Sequence, residues 1–197
     1  MLVRMMLVAG GLILLATTAW AQEPSRLGFK EIWVGMSKGA FRPIWQEGCR
    51  ERAMEWPIDF EKNEILAECL KGPIVVLPSR YRRIGTISLY DALVDVRDDK
   101  VGSIILAFWQ RDYEALRAAF VERYGPPTQR KIRTWKNKLG TSFNGESLSW
   151  ERREGRIILD EFSGTIGKGS AQIASRDYLD GLAEEQRSRT KKDAGGL

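Results

Sequence analysis

The 197-residue sequence contains no histidine and only two cysteines. Histidine is the side chain used most often for proton transfer near neutral pH and for binding metal ions. Its absence excludes the Ser-His-Asp and Cys-His arrangements and nearly all zinc enzyme sites. We therefore expect no cofactor and no metal. Carboxylates or a Ser/Lys pair are the groups that remain for any catalysis.

The sequence also lacks a long hydrophobic run. The apolar residues 5–16 are fewer than the ~20 that cross a bilayer. They follow Arg4 and precede the small residues Ala19 and Ala21, which is the pattern of a secretory signal peptide. We expect a signal peptide over 1–21, cut after Ala21, with an uncleaved anchor as the alternative. The rest of the chain is then expected to be periplasmic or secreted.

Charge and cysteine content bear on partners and on stability. The chain has 31 Lys and Arg against 26 Asp and Glu, a net charge of +5. This small excess favours acidic partners without identifying one. An exported chain is expected to pair its two cysteines, Cys49 and Cys69, in a disulfide. A closed loop of about 20 residues corresponds to roughly 3 kcal/mol of stabilisation in the chain-entropy account.

Hydrophobic periodicity predicts one α+β domain over 22–180 and a polar, flexible tail over 181–197. The predicted order is β-α-(disulfide region)-β-β-α-β-β-β. We expect a mostly antiparallel sheet with both helices packed on one face. The first strand is predicted at 29–34. Residues 57–84 fit helix and strand equally well, and both alternatives stay open.

The two predicted helices have boundary signals. The first begins at the cap Ser37 and ends at Gly48, and Pro43 is tolerable only near its start. The second begins after Asp112 and ends at Gly125, where a glycine in a left-handed conformation commonly stops a helix.

Alternation of apolar and polar residues predicts the remaining strands. The first two are joined by a turn at Asp98 and Asp99 and form a hairpin. The predicted strands lie at 87–96, 101–109, 131–136, 146–152, 156–162 and 170–175.

Two stretches carry a resemblance to a known group. Residues 35–37 open a helix, and residues 94–127 run strand, turn, strand, helix and then Tyr-Gly-Pro-Pro. This order is similar to small exported bacterial proteins with the β-lactamase-inhibitor-protein-like fold, which the small lipoproteins of outer-membrane barrel assembly share. The resemblance covers roughly half of residues 22–197. It implies an α+β fold and protein binding, and it implies no particular site residue.

Two basic segments that contain an aromatic residue form the candidate binding site. Cations surround Trp135 in one segment and Tyr81 in the other, and such surfaces bind anionic groups by charge and stacking. Export makes nucleic acid a poor candidate, so we expect an envelope or periplasmic protein, with an anionic glycan or lipid headgroup as alternatives. An ordinary solvated strand face is the structural alternative. The candidate residues are Arg130, Lys131, Arg133, Trp135, Tyr81 and Arg82.

Tryptophan is common at binding hot spots. An exposed pair among the tryptophans after residue 21 would mark an interface, whereas most are expected to be buried or half-buried. These residues are Trp33, Trp45, Trp56, Trp109, Trp135 and Trp150.

These features predict a non-enzymatic binding module of the bacterial periplasm or envelope that docks a protein, with inhibition of an envelope hydrolase as one form. One alternative is an enzyme that cleaves envelope glycan with two carboxylates about 5–10 Å apart. Another is a structural envelope protein with no tight ligand. The candidate carboxylates are Asp59, Glu61, Glu64 and Glu68.

Overall fold

The computed structural model describes residues 26–55, 69, 71–136 and 139–194. They form an antiparallel sheet flanked by helices, which confirms the predicted α+β class. The predicted signal peptide lies outside the described residues. No helix within the described ranges is both long enough and apolar enough to cross a membrane.

The helices and strands have the following bounds. The helices in the described residues are α1 (Lys38–Glu55), α2 (Tyr113–Tyr124) and α3 (Arg176–Ala194). The first strands are β1 (Gly28–Phe29), β2 (Ile32–Trp33), β3 (Ile74–Val76), β4 (Arg83–Ile84), β5 (Ile87–Ser88) and β6 (Asp91–Arg97). The later strands are β7 (Lys100–Trp109), β8 (Gln129–Lys136), β9 (Ser142–Glu151), β10 (Gly155–Asp160) and β11 (Lys168–Ser175).

Seven strands form the large sheet, in the order β3-β6-β7-β11-β10-β9-β8, and all neighbours are antiparallel. The predicted turn between β6 and β7 places Asp98 at φ 50° and Asp99 at φ 57°. Two successive positive φ angles suit the twist of a tight hairpin. The sheet ends at β3 on one side and at β8 on the other.

The inner face of the sheet packs against α1 and α2 and forms the main hydrophobic core. Phe41 of α1 and Leu116 of α2 belong to the same buried cluster as Ile104 of β7. The ring of Phe120 lies 6.0 Å from that of Trp150 in β9. These contacts confirm that the two predicted helices share one face.

The third helix, α3, lies on the outer face and continues to Ala194, whereas the sequence predicts a polar, flexible tail over 181–197. The hydroxyl of Tyr178 donates a 2.7 Å hydrogen bond to Asp95, whose side chain points away from the inner face. Arg97 forms a 2.7 Å ion pair with Glu185. The described side chains from Leu182 onward are exposed, in agreement with the polar composition of this segment.

The prediction that the first helix ends at Gly48 is wrong, because α1 continues to Glu55. A Cβ atom at Gly48 would lie 2.4 Å from the carbonyl oxygen of Val76. Glycine at this position therefore permits close approach of α1 to β3. Pro43 lies inside the helix and lacks the N–H that would bond to the carbonyl of Gly39.

Two predicted strands are interrupted in the structure. Residues 29–34 form the short hairpin β1–β2 instead of one strand, with Lys30 at φ 53°. Residues 87–96 divide into β5 and β6. The described part of the open region contains β3, a 3-10 turn at Ser79–Tyr81 and β4.

The predicted disulfide joins Cys49 of α1 to Cys69, with Cα atoms 5.9 Å apart. The indole nitrogen of Trp45 donates a hydrogen bond to the carbonyl of Cys69. The disulfide therefore attaches the chain at residue 69 to the core side of α1. It is compatible with an oxidising, exported location.

Candidate functional site

The candidate residues on β8 lie on opposite faces of the sheet. β8 is paired along its length with β9 only, and its successive side chains point to opposite sides. Arg130 lies opposite Leu148 on the inner face, whereas Lys131 lies opposite Ser147 on the outer face. Arg133 and Trp135 share the outer face with Lys131.

On the inner side, Arg130 is part of a cluster around Glu146, which is only 8% exposed. The Tyr113 hydroxyl donates a 2.6 Å hydrogen bond to Glu146, and Nε of Arg130 donates a short one. Nε of Arg117 lies 3.1 Å from the same carboxylate. The backbone N–H of Glu146 donates to Glu161 at 2.9 Å. This cluster joins α2, β8 and β9.

The cluster controls the ionisation of its own members. Burial alone would raise the pKa of Glu146, but hydrogen bonds from Tyr113 and Arg130, and the charges of Arg117 and Arg130, outweigh burial and lower it. Burial, followed by the hydrogen bond to Glu146 and its charge, raises the pKa of Tyr113. Glu146 is therefore an anion and Tyr113 a neutral donor at pH 7, so Arg130 serves as a structural counterion.

On the outer side, β8, β9 and β10 form a polar groove of about 190 Å³. Glu151 is the carboxylate of this groove, and it pairs with Arg156 and lies 3.5 Å from Arg176. Lys131 and Arg133 form no ion pair with any described residue. The groove therefore carries uncompensated positive charge. Its lining residues are Gln129, Lys131, Arg133, Ser147, Ser149, Glu151, Arg156 and Ile158.

An aromatic cluster adjoins the groove. The ring of Trp135 stands edge-on to that of Phe162, with centroids 6.2 Å apart. A Cβ atom at Gly145 would lie 2.4 Å from the Phe162 ring, so glycine lets this ring rest on β9. Phe143 lies opposite Trp135 in the register of β8 and β9. Trp135 is thus held half-buried at the end of the basic groove.

A second aromatic cluster lies on the outer face at the end of β7. Trp109 is 42% exposed and Tyr90 is 37% exposed, and their ring centroids are 5.5 Å apart. Lys168, opposite Trp109 in β11, places its ammonium 4.6 Å from the centre of the Tyr90 ring. Trp109 is thus an exposed tryptophan, but its exposed neighbour is Tyr90 and not a second tryptophan. The sequence contains no signal that would have selected Tyr90 or Lys168.

The prediction of a binding surface around Tyr81 is wrong, because its ring is fully buried in the core. Its hydroxyl donates to Glu31, and Arg80 stacks 4.9 Å from its ring centre while pairing with Glu47. Arg82 is half-buried beside it. This segment follows β3, at the edge of the sheet opposite β8, so the two basic segments do not form one surface.

The remaining candidates are distributed as follows. Trp45 and Trp150 are buried and Trp33 is half-buried, as expected for most tryptophans. The other candidates lie outside the described residues: Trp56, Asp59, Glu61, Glu64 and Glu68.

Comparisons of the chain with protein-family models, with curated proteins and with solved structures find no match. The resemblance to the β-lactamase-inhibitor-protein-like group therefore stays a prediction. The interpretation of the site depends on its geometry alone.

Proposed function

We propose that the chain is an exported, non-enzymatic binding module of the bacterial periplasm or envelope that docks a protein partner. The observation that carries this proposal is the outer face of β8. There, Lys131 and Arg133 have no ion pair within the described ranges, and they lie beside the half-buried Trp135. Arginine and tryptophan next to one another are typical of residues that dominate protein–protein binding.

The second aromatic cluster supports the same proposal. Trp109 and Lys168 lie on the outer face at β7 and β11, and four strand spacings separate β7 from β8. At about 4.8 Å per spacing, the two clusters are about 19 Å apart across the sheet. One partner surface of about 800 Å² spans that distance. The outer face therefore offers two aromatic anchors with a basic groove at one of them.

Charge indicates the chemistry of the partner. Lys131 and Arg133 remain uncompensated in the groove, and its lining also includes the hydroxyl groups of Ser147 and Ser149. Carboxylates of a protein partner would form charge-assisted hydrogen bonds with these donors. We propose an acidic envelope or periplasmic protein, and inhibition of an envelope hydrolase is one form that such docking takes.

Site-specific photo-crosslinking in the exporting host tests this proposal. A photoreactive amino acid replaces Gln129, an exposed and uncharged residue of the groove, or, as the control, the exposed Glu122 on α2. We expect one dominant protein adduct from position 129 and none of that mass from position 122. The same adducts from both positions, or no protein adduct from position 129, would contradict the proposal.

A second measurement combines the probe at position 129 with substitutions elsewhere. The Trp135→Ala variant is expected to lose most of the adduct formed from position 129. The Arg189→Ala variant, in the exposed part of α3, is the control and is expected to retain it. An adduct that contains glycan or lipid would identify the alternative ligand instead.

A further inference from the structure

The two edges of the sheet differ in length and cover. β3 has three residues, and α1 packs so closely on it that a Cβ at Gly48 would meet the carbonyl of Val76. β8 has eight residues, seven of them exposed and one half-buried, and its register pairs it with β9 only. An edge strand of this length presents a row of unpaired N–H and C=O groups to another chain.

We infer that a protein partner adds an extended acidic segment to β8 as an eighth strand of the sheet. This inference rests on the proposed function and specifies how the partner binds. In strand addition, backbone hydrogen bonds along the edge provide affinity, and alternating side chains provide specificity. The second edge of β8 pairs with no other described strand, and it meets the first requirement.

The charges of β8 select an acidic partner strand. The strand contains Arg130, Lys131, Arg133 and Lys136 and no carboxylate. Like charges that face one another across an antiparallel pair are destabilising, and opposite charges are stabilising. A glutamate or aspartate that faces Lys131 or Arg133 on the outer face would neutralise a cation that has no ion pair within the described chain.

The same charges disfavour a second copy of the chain as the occupant. Antiparallel pairing of two β8 strands about Ile132 places Lys131 opposite Arg133 twice. Pairing about Arg133 places that residue opposite itself. Both registers keep the inner and outer faces of the two sheets aligned, and both bring cations together.

The inner side of β8 indicates which residues occupy the remaining positions of the partner segment. Ile132 is 57% exposed there, between Arg130, which is bound to Glu146, and Thr134, which donates a 3.1 Å hydrogen bond to Asn144. An apolar side chain opposite Ile132 would cover it. Because neighbouring strand residues point to opposite faces, the partner segment alternates acidic and apolar residues.

A synthetic peptide of alternating glutamate and valine tests the inference against the purified protein by fluorescence anisotropy. Two further peptides carry methyl groups on backbone nitrogens. In one peptide every valine nitrogen is methylated, and in the other every glutamate nitrogen is methylated. In an antiparallel or parallel strand pair, alternate N–H groups face the neighbouring strand. We therefore expect one methylated peptide to bind at least tenfold more weakly than the other.

A charge exchange separates strand addition from unspecific attraction. The Arg133→Glu variant is expected to bind the glutamate peptide at least tenfold more weakly and to bind a lysine–valine peptide more tightly. The matched control is Arg189→Glu, which makes the same change in net charge on α3 and should leave both affinities unchanged. Circular dichroism confirms that both variants are folded.

Three results would overturn the inference. The first is that the glutamate peptide does not bind the wild-type protein at millimolar concentration. The second is that the wild-type protein binds both methylated peptides with equal affinity. The third is that it binds the glutamate and lysine peptides with equal affinity. Equal affinity for the methylated peptides, together with a protein adduct from position 129, would overturn strand addition and leave docking on the outer face intact. Absence of that adduct would instead contradict the proposed function.

Discussion

Arg130 and Arg133 lie three residues apart on β8, but the two faces of the sheet place them in different surroundings. On the inner face, Arg130 binds the buried Glu146, which Tyr113 and Arg117 also contact. On the outer face, Arg133 lines a polar groove and has no ion pair among the described residues. The same residue type is therefore part of the scaffold on one face and available for a partner on the other.

The largest effect is expected from Glu146→Ala, on the inner side. This change leaves the buried Tyr113 hydroxyl without its acceptor and removes the carboxylate that Arg117 and Arg130 contact, and unpaired buried groups are costly. We expect a loss of about 2–3 kcal/mol in the free energy of unfolding, measured with urea, because both arginines retain partial contact with water. Glu151→Ala is the control on the outer side, where an exposed ion pair contributes less than about 1 kcal/mol. Equal losses of unfolding free energy from Glu146→Ala and Glu151→Ala would contradict this distinction between the two faces.

Gly145→Ala tests the packing of the outer aromatic cluster. The new Cβ would lie 2.4 Å from the Phe162 ring, which must then move away from β9 and from Trp135. Overpacking of this kind costs about 1–2 kcal/mol, and the fluorescence of Trp135 should change. Gly167→Ala is the control, because no atom lies within 4 Å of a Cβ at that position. An unchanged unfolding curve for Gly145→Ala would show that the ring is not held against β9.

The pH dependence of stability tests the charge on Glu146. Its pKa is lower in the folded protein than in the unfolded chain, so ionisation stabilises the fold above the unfolded carboxyl pKa of about 4.3. That contribution is lost as the pH falls through the folded pKa. The difference in unfolding free energy between the wild type and Glu146→Gln should therefore narrow between pH 7 and pH 3. A difference that stays constant over this range would contradict an ionised Glu146.

The smallest effect on stability is expected from Arg133→Ala. We expect Arg130→Ala to cost about 1 kcal/mol through the loss of a charged hydrogen bond, and Arg133→Ala to stay within about 0.5 kcal/mol. We expect the opposite order for partner binding, because Arg133→Ala should reduce crosslinking to the partner more than Arg130→Ala does. Thermal unfolding and partner crosslinking from a photoreactive residue at position 129 measure the two effects. A stability loss from Arg133→Ala as large as that from Arg130→Ala would show that the outer cation also supports the fold.

Local sequence signals predicted much of the fold. The start of α2 after Asp112, its end at Gly125 and the acidic turn between β6 and β7 all depend on residues near one another in the chain. Gly48 resembles a helix end in the sequence, but it permits the close approach of α1 to Val76, 28 residues away. The arginines around Tyr81 in the sequence suggest a surface residue, but its ring packs in the core with Arg80 above it.

The candidate site was predicted only in part, for the same reason. Alternation along β8 implies that Lys131, Arg133 and Trp135 share a face, and the structure places all three on the outer face. The partners of Glu146 lie on α2 and β8, at distances along the chain that no local pattern reports. The pairing of Tyr90 with Trp109 likewise requires β6 to lie beside β7.

The sequence by itself determined the α+β class, the turn between β6 and β7, the end of α2 and the presence of a cysteine pair, because these depend on the conformational preferences and spacing of nearby residues. The tertiary structure alone decided which cations are compensated. Compensation depends on the distance to a carboxylate elsewhere in the chain, and strand register sets that distance. Glu146 is brought to Arg130 on one face, whereas on the other face Glu151 pairs with Arg156 and leaves Lys131 and Arg133 exposed to a partner.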